Sequence, residues 1–145
     1  MSTTLTENDQ KYPGWIGVDF DGTLAHYERW EGPDVVGEPI PAMVERVKRW
    51  LAEGRDVRIF TARVSAPDDV EDLSLAARVK AHKRRLEARV AHDAIEAWCE
   101  KHLGRKLPIT CVKDLEMREL YDDRAVTVEM NTGRLLSQST RGLPE

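Results

Sequence analysis

Three observations predict a three-layer α/β fold with a mainly parallel central sheet. Trp15-Ile16-Gly17-Val18 is a short, fully apolar run without the polar alternation of a half-exposed strand, and further short strand-like runs follow it along the chain. Stretches with helical spacing separate them, and strands alternating with helices give a sheet buried between layers. The apolar runs lead into residues that carry chemistry, Asp19, Thr61, Lys113 and Asp122. At 145 residues the chain suffices for one such domain and its core, placed at residues 12–145.

Residues 1–11, MSTTLTENDQK, are polar and read as a frayed tail. Trp15 to Val18 is the first strand. Residues 24–40 (LAHYERWEGPDVVGEPI) are rich in Gly, Pro and charge and suit an irregular flap or short hairpin. A helix follows from about Pro41 to Glu53, with Pro at its start, Met43, Val47, Trp50 and Leu51 on one apolar face, and Gly54 as its stop. Asp56 to Phe60 is the second strand, running into Thr61-Ala62-Arg63. The region 65–103 is helical in character, led by the acids Asp68, Asp69, Glu71 and Asp72 and closed by Gly104. A single helix there would be about 50 Å long, too long for so small a body. The expectation is two helices or one bent helix, with the basic stretch KAHKRR (80–85) projecting and Val79, Leu86, Val90 and Trp98 forming the apolar stripe. Ile109 to Val112 is the third strand, Leu120-Tyr121 the fourth, and Ala125 to Met130 a fifth before the Asn131-Thr132-Gly133 turn.

Hydrophobic residues make up 41% and charged residues 33%, an ordinary soluble balance, and the net charge of −4 argues against a chain-wide attraction to nucleic acid. No apolar run approaches the roughly 18 residues of a membrane span, so no membrane partner is expected. The polar N-terminus lacks the apolar core of a signal peptide, and Cys99 and Cys111 have no metal-type spacing. A reduced, cytoplasmic protein is the expectation. His26, His82, His92 and His102 show no ligand spacing with a carboxylate.

In a parallel α/β sheet, ligands sit outside the carboxyl ends of the strands. Asp19 with Asp21, Thr61, Lys113, and Asp122 with Asp123 all belong to that edge. Singly, each has an ordinary reading: Asp21-Gly22 a turn, Thr61 a helix cap, Lys113 a solvated edge residue, Asp122-Asp123 another turn. Together, in this order, they point to a site where clustered carboxylates need a cation and a lysine meets an anion.

These residues carry a resemblance. DFDGT (19–23), Thr61 within IFTAR, Lys113, and YDDRA (121–125) together resemble the motifs of the haloacid dehalogenase (HAD) superfamily of phosphoryl-transfer enzymes, over residues 15–130. The YDDRA form is similar to that of compact HAD phosphatases and, more loosely, of the phosphatase domain of polynucleotide kinases. The resemblance implies a Rossmann-like, HAD-type domain and a Mg²⁺-dependent phosphomonoesterase. It implies that Asp19 attacks phosphorus to form an aspartyl-phosphate, and that Asp21 protonates the leaving group and then activates water. It makes Asp19, the Asp21 carbonyl and Asp122 the ligands of Mg²⁺, with Asp123 an orienting or water-mediated ligand. It assigns Thr61 and Lys113 to the phosphoryl charge and Phe20, Gly22, Ala62 and Arg63 to substrate binding. One feature departs from many members: residues 113–122 leave barely a turn where a helix commonly stands, so Lys106 and Arg124 are alternative cations.

No large cap domain fits; the flap and region 65–103 are the possible minimal cap. The expected partner is a phosphorylated substrate, small molecule or nucleotide. Two alternatives stand beside this. One is a polynucleotide end-processing phosphatase, with Arg78, Lys80, Lys83, Arg84, Arg85 and Arg89 as a backbone groove, although a solvated helix face is the commoner origin of such a run. The other is a non-catalytic module that binds a phospho-ligand. Tyr27 and Trp30 in the flap are placed to contact a substrate, although packing beneath the flap is the commoner role of such aromatics.

Overall fold

The computed structural model describes residues 11–67 and 74–138. The tail through residue 10 and the acids Asp68, Asp69, Glu71 and Asp72 lie outside the described residues. The fold is α/β. Strands β1 (Trp15–Val18), β2 (Asp56–Phe60), β3 (Ile109–Thr110) and β4 (Met117–Tyr121) form one sheet in the order β3-β2-β1-β4, and every pair is parallel. The class, the parallel sheet and its helices are those expected of a Rossmann-like arrangement.

Helix α1 (Pro41–Ala52) links β1 to β2, and helix α2 (Leu75–Leu103) links β2 to β3. Pro41 opens α1 where its missing N–H costs nothing. Val44, Val47 and Trp50 form its buried face, with Met43 and Leu51 partly buried beside them. They meet Ile16 and Val18 of β1 and Val57 and Ile59 of β2, which lie opposite one another in register and so share one face of the sheet. Ile95, Trp98, Cys99 and Leu103 of α2 complete this core. Burial of each such side chain is worth about 1.5–3 kcal/mol. On the other face, Trp15 lies under the Arg58 guanidinium, 4.8 Å from its ring centroid, and its indole N–H donates to Asp114 at 2.8 Å.

The region expected to be two helices or one bent helix is a single helix from 75 to 103. Its N-cap is Ser74, whose hydroxyl accepts from the Ala77 N–H, and it ends at Gly104 in the left-handed conformation at φ 80°. The expected apolar stripe is also displaced. Val79, Leu86 and Val90 are exposed, and the buried line runs Ala81, Ala88, Ala91, Ile95, Trp98, Cys99, Leu103. The reason is what lies beneath the first half. There the helix crosses the loop after β2 rather than the sheet, and only alanines fit that close approach. Arg84 and Arg85 tie the helix down by donating to the carbonyls of Ala62, Arg63 and Pro67. The long helix therefore needs no wider body to rest on.

Strand β3 is shorter than expected and β4 begins three residues earlier. The expected fifth strand, 125–130, does not join the sheet: Val128 makes an isolated antiparallel bridge with Leu135 around the 131–133 turn. The flap closes on itself through the Ala25–Pro39 bridge and the bonds from His26 N–H to Glu38 and Ile40 N–H to Leu24. Gly37 lies so close to His26 that a Cβ there would meet its carbonyl oxygen at 1.8 Å. The Trp98 indole N–H of α2 donates to the Gly37 carbonyl at 2.9 Å and fastens the flap to the helical layer.

Candidate active site

The chain runs from β1 outward to β3 and then returns to the other side of β1 for β4, so the order reverses between β1 and β4. Crevices at such reversals bind ligands. Asp19 leaves β1 there, and Asp122 with Asp123 leaves β4. One carboxylate oxygen from each of the three lies within 4.8 Å of the others. Thr23, 9% exposed, joins the two turns: its hydroxyl lies 3.4 Å from both the Asp19 and the Asp123 carboxylate and accepts from the Asp123 N–H at 3.1 Å. This threonine belongs to the DFDGT motif yet has no role in the sequence reading; its burial is what reveals it. Asp122 accepts from the Arg124 N–H at 2.6 Å, which holds the second turn.

Crowding like charges at a partly buried position disfavours ionisation. Burial, then the hydrogen bond with Asp123, then the charges of Asp122 and Asp123 push Asp19 up to about 8. The Phe20 N–H on the Asp19 carboxylate opposes this. Three hard oxygen donors that repel one another form a donor set suited to Mg²⁺. Among the described residues no other group of His, Cys, Asp or Glu converges in this way.

Asp21, two residues on, lies in the opposite environment. Both its oxygens accept from Arg63, Nε at 2.6 Å and Nη2 at 2.7 Å. Arg63 is 6% exposed, and its remaining nitrogen donates to the flap carbonyl of Val35 at 2.9 Å, with Gly32 and Pro33 at 3.4 Å. Its guanidinium also sits 4.9 Å from the Trp30 ring centroid. A residue expected to touch substrate is thus engaged in clasping the flap to Asp21. Asp56 to Phe60 delivers it: β2 ends at the cavity, Thr61 accepts the Arg63 N–H on its hydroxyl, and a single 3₁₀ turn aims the side chain back toward β1.

A cavity of about 500 Å³ unites the site, lined by Asp19, Asp21, Thr61, Ala62, Arg63 and Asp122, by Tyr27 and Trp30 of the flap, by Phe60, and by Arg84, Glu87 and Arg124. Asp123 is not part of this lining and belongs to the acidic cluster with Asp19 and Asp122. Phe20 does not line it. Its side chain is fully buried and packs edge-on against Trp98 at 5.1 Å. Gly22 adopts φ 82°, as a sharp turn requires, but its N–H donates to the Ala25 carbonyl at 2.8 Å.

Lys113 is exposed and lies outside the cavity lining. The cause is the short connection. β4 must start level with Trp15, at the far end of the sheet, so the chain turns back at once after Thr110, and Asp114 is already bonded to Trp15. Lys106 is paired with Glu96 at 3.2 Å, away from the site. Of the alternative cations, Arg124 lines the cavity. Arg84, read as one charge in a solvated run, lines it too, because the long helix passes beside Ala62 and Arg63. Of the two readings of Tyr27 and Trp30, contact with a substrate or packing under the flap, their place in the cavity lining favours the first, and Trp30 is 50% exposed.

No family model matches this chain, and no curated protein does. Among solved structures it is similar to the conserved protein coded by a locus from Bacteroides thetaiotaomicron, at 21% identity over 78% of each chain, with a TM-score of 0.48. No helix among the described residues is long and apolar enough to cross a membrane.

Proposed function

We propose that this chain is a Mg²⁺-dependent phosphomonoester hydrolase of the HAD type, working through an aspartyl-phosphate on Asp19. The observation that carries the reading is the meeting of Asp19, Asp122 and Asp123 at the β1–β4 reversal, with Asp19 and Asp122 lining the same cavity as Asp21 and Thr61. Asp19 and Asp122, with Asp123 beside them, would hold Mg²⁺, which when bound would neutralise the charge that keeps a phosphate dianion from a carboxylate. Asp19 attacks phosphorus, and the bond from phosphorus to the alcohol oxygen breaks. Arg124 and Arg84 take the electrostatic part assigned by resemblance to Lys113, balancing the equatorial oxygens. Asp21 gives the leaving oxygen its proton and later takes one from the attacking water. Since both its oxygens are bonded to Arg63, one bond must open for each transfer. With Cys99 and Cys111 both free thiols, we place the enzyme in the reducing cytoplasm.

The Asp21–Arg63 fork is also the one observation favouring a second reading, a module that binds a phospho-ligand without turnover. For the end-processing reading no specific observation speaks: of its basic run, Arg85 is bonded to the Pro67 carbonyl and Arg84 lines the cavity of the site itself.

The deciding experiment is hydrolysis of an aryl phosphate in Mg²⁺, with and without chelator, together with acid trapping of labelled protein. Metal-dependent turnover and a hydroxylamine-sensitive label absent from Asp19→Asn are expected. Tight, metal-dependent phosphate binding with no turnover would establish the binding module instead.

A further inference from the structure

We infer that the flap holds a subsite for a planar aromatic ring, which makes nucleoside monophosphates the substrate class in preference to sugar or polyol phosphates; the inference rests on the phosphatase reading above.

The cavity is far larger than a phosphate group needs and falls within the range that encloses a ligand of nucleotide size. Its lining is of two kinds. The strand ends supply the polar groups Asp19, Thr61 and Asp122, whereas Tyr27 and Trp30 of the flap and Phe60 of β2 supply aromatic surface. A ligand matching both kinds carries a phosphate and a flat apolar face.

Trp30 is the element best fitted to receive that face. Half of its surface is exposed, yet its ring is held in place. The Arg63 guanidinium backs it at 4.9 Å, and Arg63 is fixed by its two bonds to Asp21 and its bond to the Val35 carbonyl. A buried arginine against one side of an indole is a cation–π contact that immobilises the ring before any ligand arrives. A preorganised platform loses little freedom on binding, so stacking there is returned as affinity. The same arginine sets the distance between platform and acidic groups, making Arg63 a positioning residue for leaving-group choice.

Adenosine 5′-monophosphate and ribose 5-phosphate carry the same phosphoester on the same sugar carbon and differ by the planar base. Binding of each to Asp19→Asn protein in Mg²⁺, by calorimetry, is measured beside kcat/KM on the native chain. The base is expected to improve binding and kcat/KM about tenfold or more, the scale of stacking a base on an aromatic side chain. In a Trp30→Ala background that ratio should fall to near one, and Trp30→Phe should recover most of it. Trp30 lies in an exposed loop, and a melting curve confirms that each variant is folded. Equal handling of the two esters by the native protein, or a preference that survives Trp30→Ala, overturns the subsite while leaving the phosphatase reading intact. A base preference in binding with cleavage of neither ester sustains the subsite and removes the phosphatase reading.

Discussion

Asp19 and Asp21 stand two residues apart in one motif, yet the structure surrounds them with opposite charge. Asp19 faces Asp122 and Asp123 and is pushed up to about 8, chiefly by burial and its bond with Asp123. Asp21 faces a buried arginine that fills both its oxygens. One carboxylate lacks a cation and the other already has one. The difference teaches how a short motif divides labour. Residues i and i+2 leave a strand on the same side, so their separation must come from partners on other strands, β4 for the first and the turn after β2 for the second.

The comparison breaks most severely at Asp19. Asp19→Asn keeps the shape and removes the proposed nucleophile, so on the phosphatase reading turnover of an aryl phosphate should fall by about three orders of magnitude or more. Because the substitution also relieves repulsion among the acids, its melting temperature without metal should equal or exceed that of the native chain. Phosphate release and a thermal melt check both halves.

Next comes Arg63→Met, which leaves Asp21 without its partner and the Val35 carbonyl unbonded within a partly buried site. Breaking a buried pair from one side costs about 3–5 kcal/mol. A lowered urea midpoint should report this, with Arg63→Lys intermediate because an ammonium cannot supply the fork. A stability unchanged by Arg63→Met would mean that the clasp carries no energy.

The contrast also sets a pH dependence. A folded-state value near 8 against 3.8 for the free side chain means that the folded, metal-free protein favours protonated Asp19. Its stabilising effect is complete below about 4 and is lost as pH rises through about 8. Since Asp19 is only partly buried, about 2 kcal/mol is the reasonable scale after discounting for solvent. Thermal melts in chelator should therefore fall across that window, and Mg²⁺ added at pH 8 should reverse most of the loss. A flat profile would show that the three acids do not couple.

The smallest effects separate two neighbours on α2. Arg84→Ala removes bonds to the Ala62 and Arg63 carbonyls and should cost about 1 kcal/mol in a urea titration, with a several-fold loss of kcat/KM. Lys83→Ala breaks only an exposed pair with Glu87 and should change stability by less than about 0.5 kcal/mol. Equal responses would return Arg84 to the solvated face that its sequence context suggests.

Much of this was legible in the chain alone. A fully apolar run marked β1, Val57, Ile59 and Phe60 marked β2 despite Asp56 and Arg58, Pro41 and Gly54 bracketed α1, and the residues just past β1, β2 and β4 named Asp19, Thr61, Asp122 and Asp123. Such signals are local: a strand needs apolar residues on each face it buries, and a helix must start and stop on residues whose backbone preferences allow it. Distant geometry decided the rest. Lys113 follows the third strand in the expected order, but a connection too short for a helix carries it away from the cavity. Arg84 reads as one charge among many until a continuous α2 sets it beside Ala62. Val79 and Leu86 look like core because periodicity reports only that a helix has an apolar side, whereas the surface it crosses, here a loop admitting nothing larger than alanine, chooses which side is buried. Arg63 and Asp21 are 42 residues apart, and no local pattern pairs them. Only the parallel register of β1 and β2 brings the end of one strand to the end of the other, and with it the arginine to the aspartate.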